Sequence, residues 1–152
     1  RMTHLRSFQM GVLVTVLAAA LGCSRDNDVS GTWQHLMVFS IPDTVRYADG
    51  TVQTFQDTSA IEGETELIAQ DGRLQGTMQH SNRVDSITGS LSSEGAFTIS
   101  YEKTVDAGFQ RFSMSGTFDA AKNEITGTCS ISYPLDPEIQ TLTGTMVLKK
   151  KE

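Results

Sequence analysis

Three prolines, two cysteines, one tryptophan and three histidines are all that 152 positions hold of these residues. Each scarcity excludes something. So few prolines, with 38% hydrophobic and 7% aromatic residues, exclude collagen-like repeats and a chain disordered by composition. Twelve basic side chains against eighteen acidic ones give a formal charge of −6. With no concentrated basic face, phosphate neutralisation fails and a nucleic-acid binder is excluded. No Gly-x-Ser-x-Gly elbow, His-Glu-x-x-His, phosphate loop or Cys-His arrangement appears, so the chain is expected to be no enzyme. What remains is one small acidic domain behind a short leader.

The leader opens on Arg1-Met2-Thr3-His4-Leu5-Arg6, and an apolar stretch follows from Met10 to Gly22. Arg1 ahead of Met2 leaves two starts open, one upstream and one at Met2. The apolar stretch falls short of the roughly twenty residues of a membrane-spanning helix. A basic start, a short apolar run and small residues match a secretory signal helix over residues 1–22. The run ends in Ala20-Leu21-Gly22-Cys23, which resembles the lipobox of bacterial lipoproteins, with alanine where leucine is commoner. That resemblance implies cleavage before Cys23 and a diacylglyceryl group on its sulfur, usually with an N-acyl chain. One acyl chain binds membranes only weakly, whereas this set anchors stably. Ser24 stands where an aspartate would imply inner-membrane retention, so the resemblance implies the outer membrane, as a palmitate-bearing protein of its periplasmic face or the cell surface. Residues 23–29 then form the lipidated tether and 30–152 the domain. Losing residues 1–22 removes Arg1 and Arg6 and no acid, which takes the formal charge from −6 to −8. An anionic body beside anionic lipid stands off on its tether. With Cys23 lipidated, Cys129 has no disulfide partner, and its apolar neighbours at two-residue spacing predict an inert core thiol.

From Gly31 onward the dominant period is two. Phe97, Ile99 and Tyr101 alternate with polar residues, as do Phe112, Met114, Gly116 and Phe118. Ile125 to Tyr133 and Leu142 to Leu148 repeat the pattern. Alternation of this kind means antiparallel sheet with one face buried and one wet. Strands are predicted near 31–40, 44–48, 51–56, 62–70, 73–80, 83–91, 96–104, 108–118, 123–133 and 139–149. The short pair within Ile41–Ala60 is read as a mobile flap. Asp49-Gly50 and Asp71-Gly72 predict tight hairpins, and the segments around 92–95, 120–123 and 134–137 read as longer connections.

A repeat runs through this ladder: apolar, any residue, Gly, Thr or Ser, apolar. It appears around Gly76, Gly89, Gly116, Gly127 and Gly144. In every copy the glycine shares parity with its apolar flanks and so faces inward. Glycine weakens a strand unless the sheet must bend sharply or a neighbour must pack over the gap. The expected fold is therefore all-β: an antiparallel up-and-down barrel of about 8–10 strands, with a two-sheet β-sandwich as the alternative. Ser30-Gly31-Thr32-Trp33 at its start resembles the Gly-x-Trp opening of the calycins, the lipocalin and avidin-like barrels. The resemblance implies that Trp33 closes one barrel end against a late basic residue, here one of Lys149, Lys150 and Lys151. The Thr-Asp-Tyr motif of lipocalins is missing.

A barrel this size is either filled by side chains or holds one small ligand. Trp33, Met78, Phe97, Tyr101, Phe112, Met114, Phe118, Cys129 and Met146 are the candidate lining of a pocket for a small apolar ligand, methionine adapting to ligand shape. The alternative is a filled core, with loops or outer wall binding an envelope protein as an inhibitor or assembly accessory. The aromatics of Ile41–Ala60 are the natural surface for that, or else a cap on the barrel. No cofactor is expected. Copper(I) could suit Met78 with His80, His35 with Met37, or Cys129, but no Met- or His-rich tract exists, so no metal is expected. His80 is placed at a strand end near water and His35 at the barrel rim. Glu62, Glu64 and Glu66 share one strand face and read as a solvated exterior that discourages edge association.

Overall fold

A computed structural model of the chain describes residues 28–106 and 108–152. The leader over 1–22 and Cys23 lie outside the described residues. Asp28 and Val29, expected in the tether, belong to the domain, because Val29 is fully buried in its core.

The described residues fold into eight strands: β1 (Gly31–Arg46), β2 (Val52–Gln70), β3 (Arg73–His80), β4 (Arg83–Leu91), β5 (Ala96–Val105), β6 (Gly108–Asp119), β7 (Glu124–Ser132) and β8 (Leu142–Lys150). Each pairs antiparallel with the next, and β8 returns to β1, closing the barrel. The sandwich is thereby excluded. One parity of each strand points inward. Trp33, His35, Met37 and Phe39 do so on β1, and Phe97, Ile99 and Tyr101 on β5. Glu62, Glu64 and Glu66 point outward as expected.

The inward glycines explain how the wall curves. At Gly76, Gly89, Gly116, Gly127 and Gly144 a methyl group would lie 1.8–2.2 Å from a backbone oxygen of the neighbouring strand. The strands cross too closely there for any side chain, and the register sets larger inward residues beside most of the gaps, such as Leu74 and Ile99 flanking Gly89.

Three expectations are corrected. The predicted flap is not a separate element. β1 and β2 pair without a slip from Gly31↔Leu67 to Arg46↔Val52, so ten predicted strands become eight and the hairpin projects beyond the barrel as an arm. Pro42 is tolerated within it because β8 pairs with β1 only as far as Ser40, leaving the missing N–H on an open edge. The hairpin turn is longer than the Asp49-Gly50 pair suggested. Tyr47 N–H donates to Thr51 O, Gly50 N–H donates to Tyr47 O, and Gly50 takes φ 86°. This is a type I turn followed by a left-handed glycine. By contrast Asp71 and Gly72, at φ 52° and 75°, form the expected tight turn. β8 begins at Leu142, later than predicted, because 133–141 is held in turns by Asp136 N–H to Tyr133 O and Ile139 N–H to Asp136 O.

Trp33 plugs one end. Its indole N–H donates to Val29 O at 2.8 Å, Phe118 meets it edge-on at 6.0 Å, and the Lys150 ammonium sits 5.7 Å from its ring centre. This tryptophan-and-base closure and the eight-stranded antiparallel barrel are consistent with a calycin-like fold.

Candidate functional site

The nine residues expected to line a pocket all lie in one continuous core. Seven of them (Trp33, Met78, Phe97, Phe112, Met114, Cys129 and Met146) have at most 3% of their surface within reach of water. Tyr101 and Phe118 reach 7% and 9%. Tyr101 stacks on Phe112 with ring centres 5.0 Å apart. Burial pushes the Cys129 thiol up to about 11, so it stays protonated as expected of an inert core thiol.

One layer of the interior is polar, and it starts beside Trp33, whose cross-strand neighbour is Thr65. His35 is 2% exposed, not at the rim, because it shares parity with Trp33 and Met37. A hydrogen bond of 2.8 Å joins its Nδ1 to Thr65 Oγ1. His80, half-buried on β3, faces it with ring centres 6.2 Å apart. Gly63 makes this approach possible. It pairs with both His35 and His80, and a methyl group there would meet the His35 ring at 2.8 Å. His35 Nε2 and His80 Nδ1 are buried without a protein hydrogen-bond partner. Among the described residues no three His, Cys, Asp or Glu side chains gather to hold a metal ion.

The wall is weakest nearby. The β4–β5 ladder has only four residue pairs, from Thr88↔Ser100 to Leu91↔Phe97. Beyond it Lys103 Nζ reaches both oxygens of Asp85 at 2.7 Å and lies 4.8 Å from the Tyr101 ring centre. Gln110 Nε2 donates to Tyr133 Oη at 3.0 Å. Burial raises the Tyr101 hydroxyl to about 12, so it remains a phenol. Burial also lowers His80, and it holds His35 down to about 4, helped by the neighbouring His80. The layer thus presents neutral imidazoles, a phenol and a closed ion pair. It can donate and accept hydrogen bonds.

Asp85, Lys103 and Gln110 were missed in the sequence, although the signal was there. Asp85 shares parity with Ile87, Lys103 with Tyr101, and Gln110 with Phe112. Parity, not apolarity, is the signal that marks these polar side chains as inward.

The inward face of β1 and β2 continues past the barrel onto the arm. Ile41, Asp43 and Val45 pair there with Asp57, Phe55 and Gln53. Val45, Tyr47, Val52 and Phe55 are 38–52% exposed, the arm's contribution to the large apolar side chains in solvent. On the outer wall a groove of about 500 Å³ lies over Gln34, Leu36, Glu62, Glu64, Val147 and Lys149. Lys151 pairs with Glu64 beside it.

Burial of His35 has a pH consequence. The folded state holds its imidazole below the ordinary value of 6.5, so the unfolded chain takes up the proton first as pH falls. The His35 contribution is complete above about 6.5 and is lost as pH falls toward about 4. Between pH 7.5 and 5.0 the loss is about 2 kcal/mol. Urea unfolding at both pH values shows this loss in the parent and a clearly smaller one in His35→Gln. Equal losses in the two would assign the effect elsewhere.

No family model, no curated protein and no solved structure matches the chain.

Proposed function

We propose that this chain is a non-enzymatic binding module of the bacterial cell envelope, carried on a lipid at Cys23 and meeting an envelope polypeptide with its arm. The lipid and the outer-membrane location rest on the leader, on Ala20-Leu21-Gly22-Cys23 and on Ser24. One observation carries the choice of partner over ligand. The side chains that would line a chamber lie packed together with 9% exposure or less, while Val45, Tyr47, Val52 and Phe55 stand in solvent on a paired arm. Ordered apolar surface held out from a closed barrel favours contact with another macromolecule. Apolar side chains packed this closely do not favour carriage.

The test is native mass spectrometry of the mature protein purified from its own membranes. It is run beside a variant in which residues 42–56 are replaced by an Asn-Gly turn between Ile41 and Asp57. A polypeptide that travels with the parent and is lost from the shortened arm is the expected result. A reproducible small apolar mass on both proteins would overturn the reading in favour of ligand carriage. In parallel, Cys23→Ala should release the protein from membranes.

A further inference from the structure

A closed barrel has no strand edges, but the arm re-creates two. The hydrogen bond from Tyr47 N–H to Thr51 O marks Tyr47 and Thr51 as a bonded pair. In an antiparallel ladder every second pair is bonded, so Val45↔Gln53, Phe55↔Asp43 and Asp57↔Ile41 follow. The even-numbered residues of the arm therefore turn their N–H and C=O groups away from the hairpin. On β1 this outer edge is Pro42, Thr44 and Arg46, and it is blunted by a proline that lacks a donor and by a charge. On β2 the edge runs from Val52 to Ala60, since β3 joins β2 only at Gly63. It contains no proline, glycine, lysine or arginine. Of its outward donors Thr58 N–H is taken by Asp57 Oδ1 at 2.9 Å, and among the described residues no strand covers the others.

Charge selects the occupant. Between Ile41 and Glu62 stand Asp43, Asp49, Asp57 and Glu62 against Arg46 alone, and none of them forms an ion pair among the described residues. Asp57 lies on the same face as exposed Phe55 and half-buried Ile61. A second copy added antiparallel about Asp57 would set two aspartates opposite each other, which is destabilising. Resting on the reading of the arm as the contact surface, we infer that the β2 edge from Val52 to Ala60 takes up an extended polypeptide strand of the partner. That strand carries a basic side chain beside Asp57 and apolar ones beside Phe55 and Ile61. Main-chain hydrogen bonds supply the affinity, and the alternate side chains supply the choice of partner.

The probe is the nine-residue peptide Val-Thr-Val-Thr-Lys-Thr-Val-Thr-Val, which sets its central lysine beside Asp57 and valines beside Phe55 and Ile61, with a counterpart carrying glutamate for lysine. Saturating lysine peptide slows amide exchange at Thr54, Gln56 and Ala60 by at least about tenfold, and the glutamate peptide binds about tenfold more weakly. Thr54→Pro repeats on β2 what Pro42 does on β1 and weakens the lysine peptide by roughly tenfold. Asp57→Lys leaves the edge backbone intact and reverses the preference between the two peptides. Unchanged exchange at these amides overturns the inference, as does equal binding of both peptides to the parent and to Asp57→Lys. So does a protein that sediments alone as a dimer with the same amides already protected. If these fail while the shortened arm still loses its partner in mass spectrometry, the edge is wrong and the contact surface stands.

Discussion

Gly89→Ala is expected to cost the barrel about 3 kcal/mol, although it adds one methyl group to a strand that otherwise welcomes side chains. The new carbon would lie 1.8 Å from Thr98 O, 2.7 Å from its carbonyl carbon and 2.9 Å from Ile99 Cα. All three atoms belong to the β5 backbone, so no rotamer change relieves the clash. The strand itself must move. It would move at the shortest ladder in the wall, where only four residue pairs join β4 to β5. Gly50→Ala is the contrast, because nothing lies within 4 Å of its added carbon and only the left-handed backbone at φ 86° resists. That strain is worth about 1 kcal/mol. Urea unfolding of the two variants beside the parent measures the difference. A Gly89→Ala protein within 1 kcal/mol of the parent would mean that β5 yields easily and that the inward glycines do not set the curvature.

Trp33→Ala is expected to be the costliest single truncation, at about 4 kcal/mol. The indole is fully buried at the barrel end, between Phe118 at 6.0 Å and the Lys150 ammonium at 5.7 Å. Alanine leaves a void there and strips Val29 O of the indole donor it meets at 2.8 Å. Trp33→Phe separates the two losses. It restores most of the volume and costs about 1–2 kcal/mol for the unsatisfied carbonyl. Lys150→Met keeps the aliphatic cover over Gly31 and the ring while removing the charge, and it changes stability by less than about 1 kcal/mol. If Trp33→Ala proved no worse than Lys150→Met, the tryptophan would be a lid and not a part of the core.

Both variants act on features that local pattern already carries, and the contrast with the arm is instructive. Period two from Phe97 to Tyr101 reports a backbone geometry that each residue obeys by itself, so strand and face were legible without neighbours. The arm was not. The predicted strands stop at 40 and 56, because a lone strand has no account of which edge its N–H groups meet. Only the register of β1 against both β2 and β8 shows that Pro42 falls on the open side. His35 failed for another reason. Its parity placed it inside, but its chemistry argued for water, and the deciding fact is a glycine on the next strand, Gly63, that makes room for the ring. No spacing in β1 announces a partner thirty residues away on β2.

By itself the amino-acid order determined the strand class, the inward face, the positions where no side chain fits and the expectation of export, because each follows from steric and solvation preferences of short segments. Tertiary structure decided how many strands there are, which polar side chains sit inside, and which edges stay open. These depend on the stagger between strands distant in the chain, and stagger is a property of the closed wall, not of any one strand.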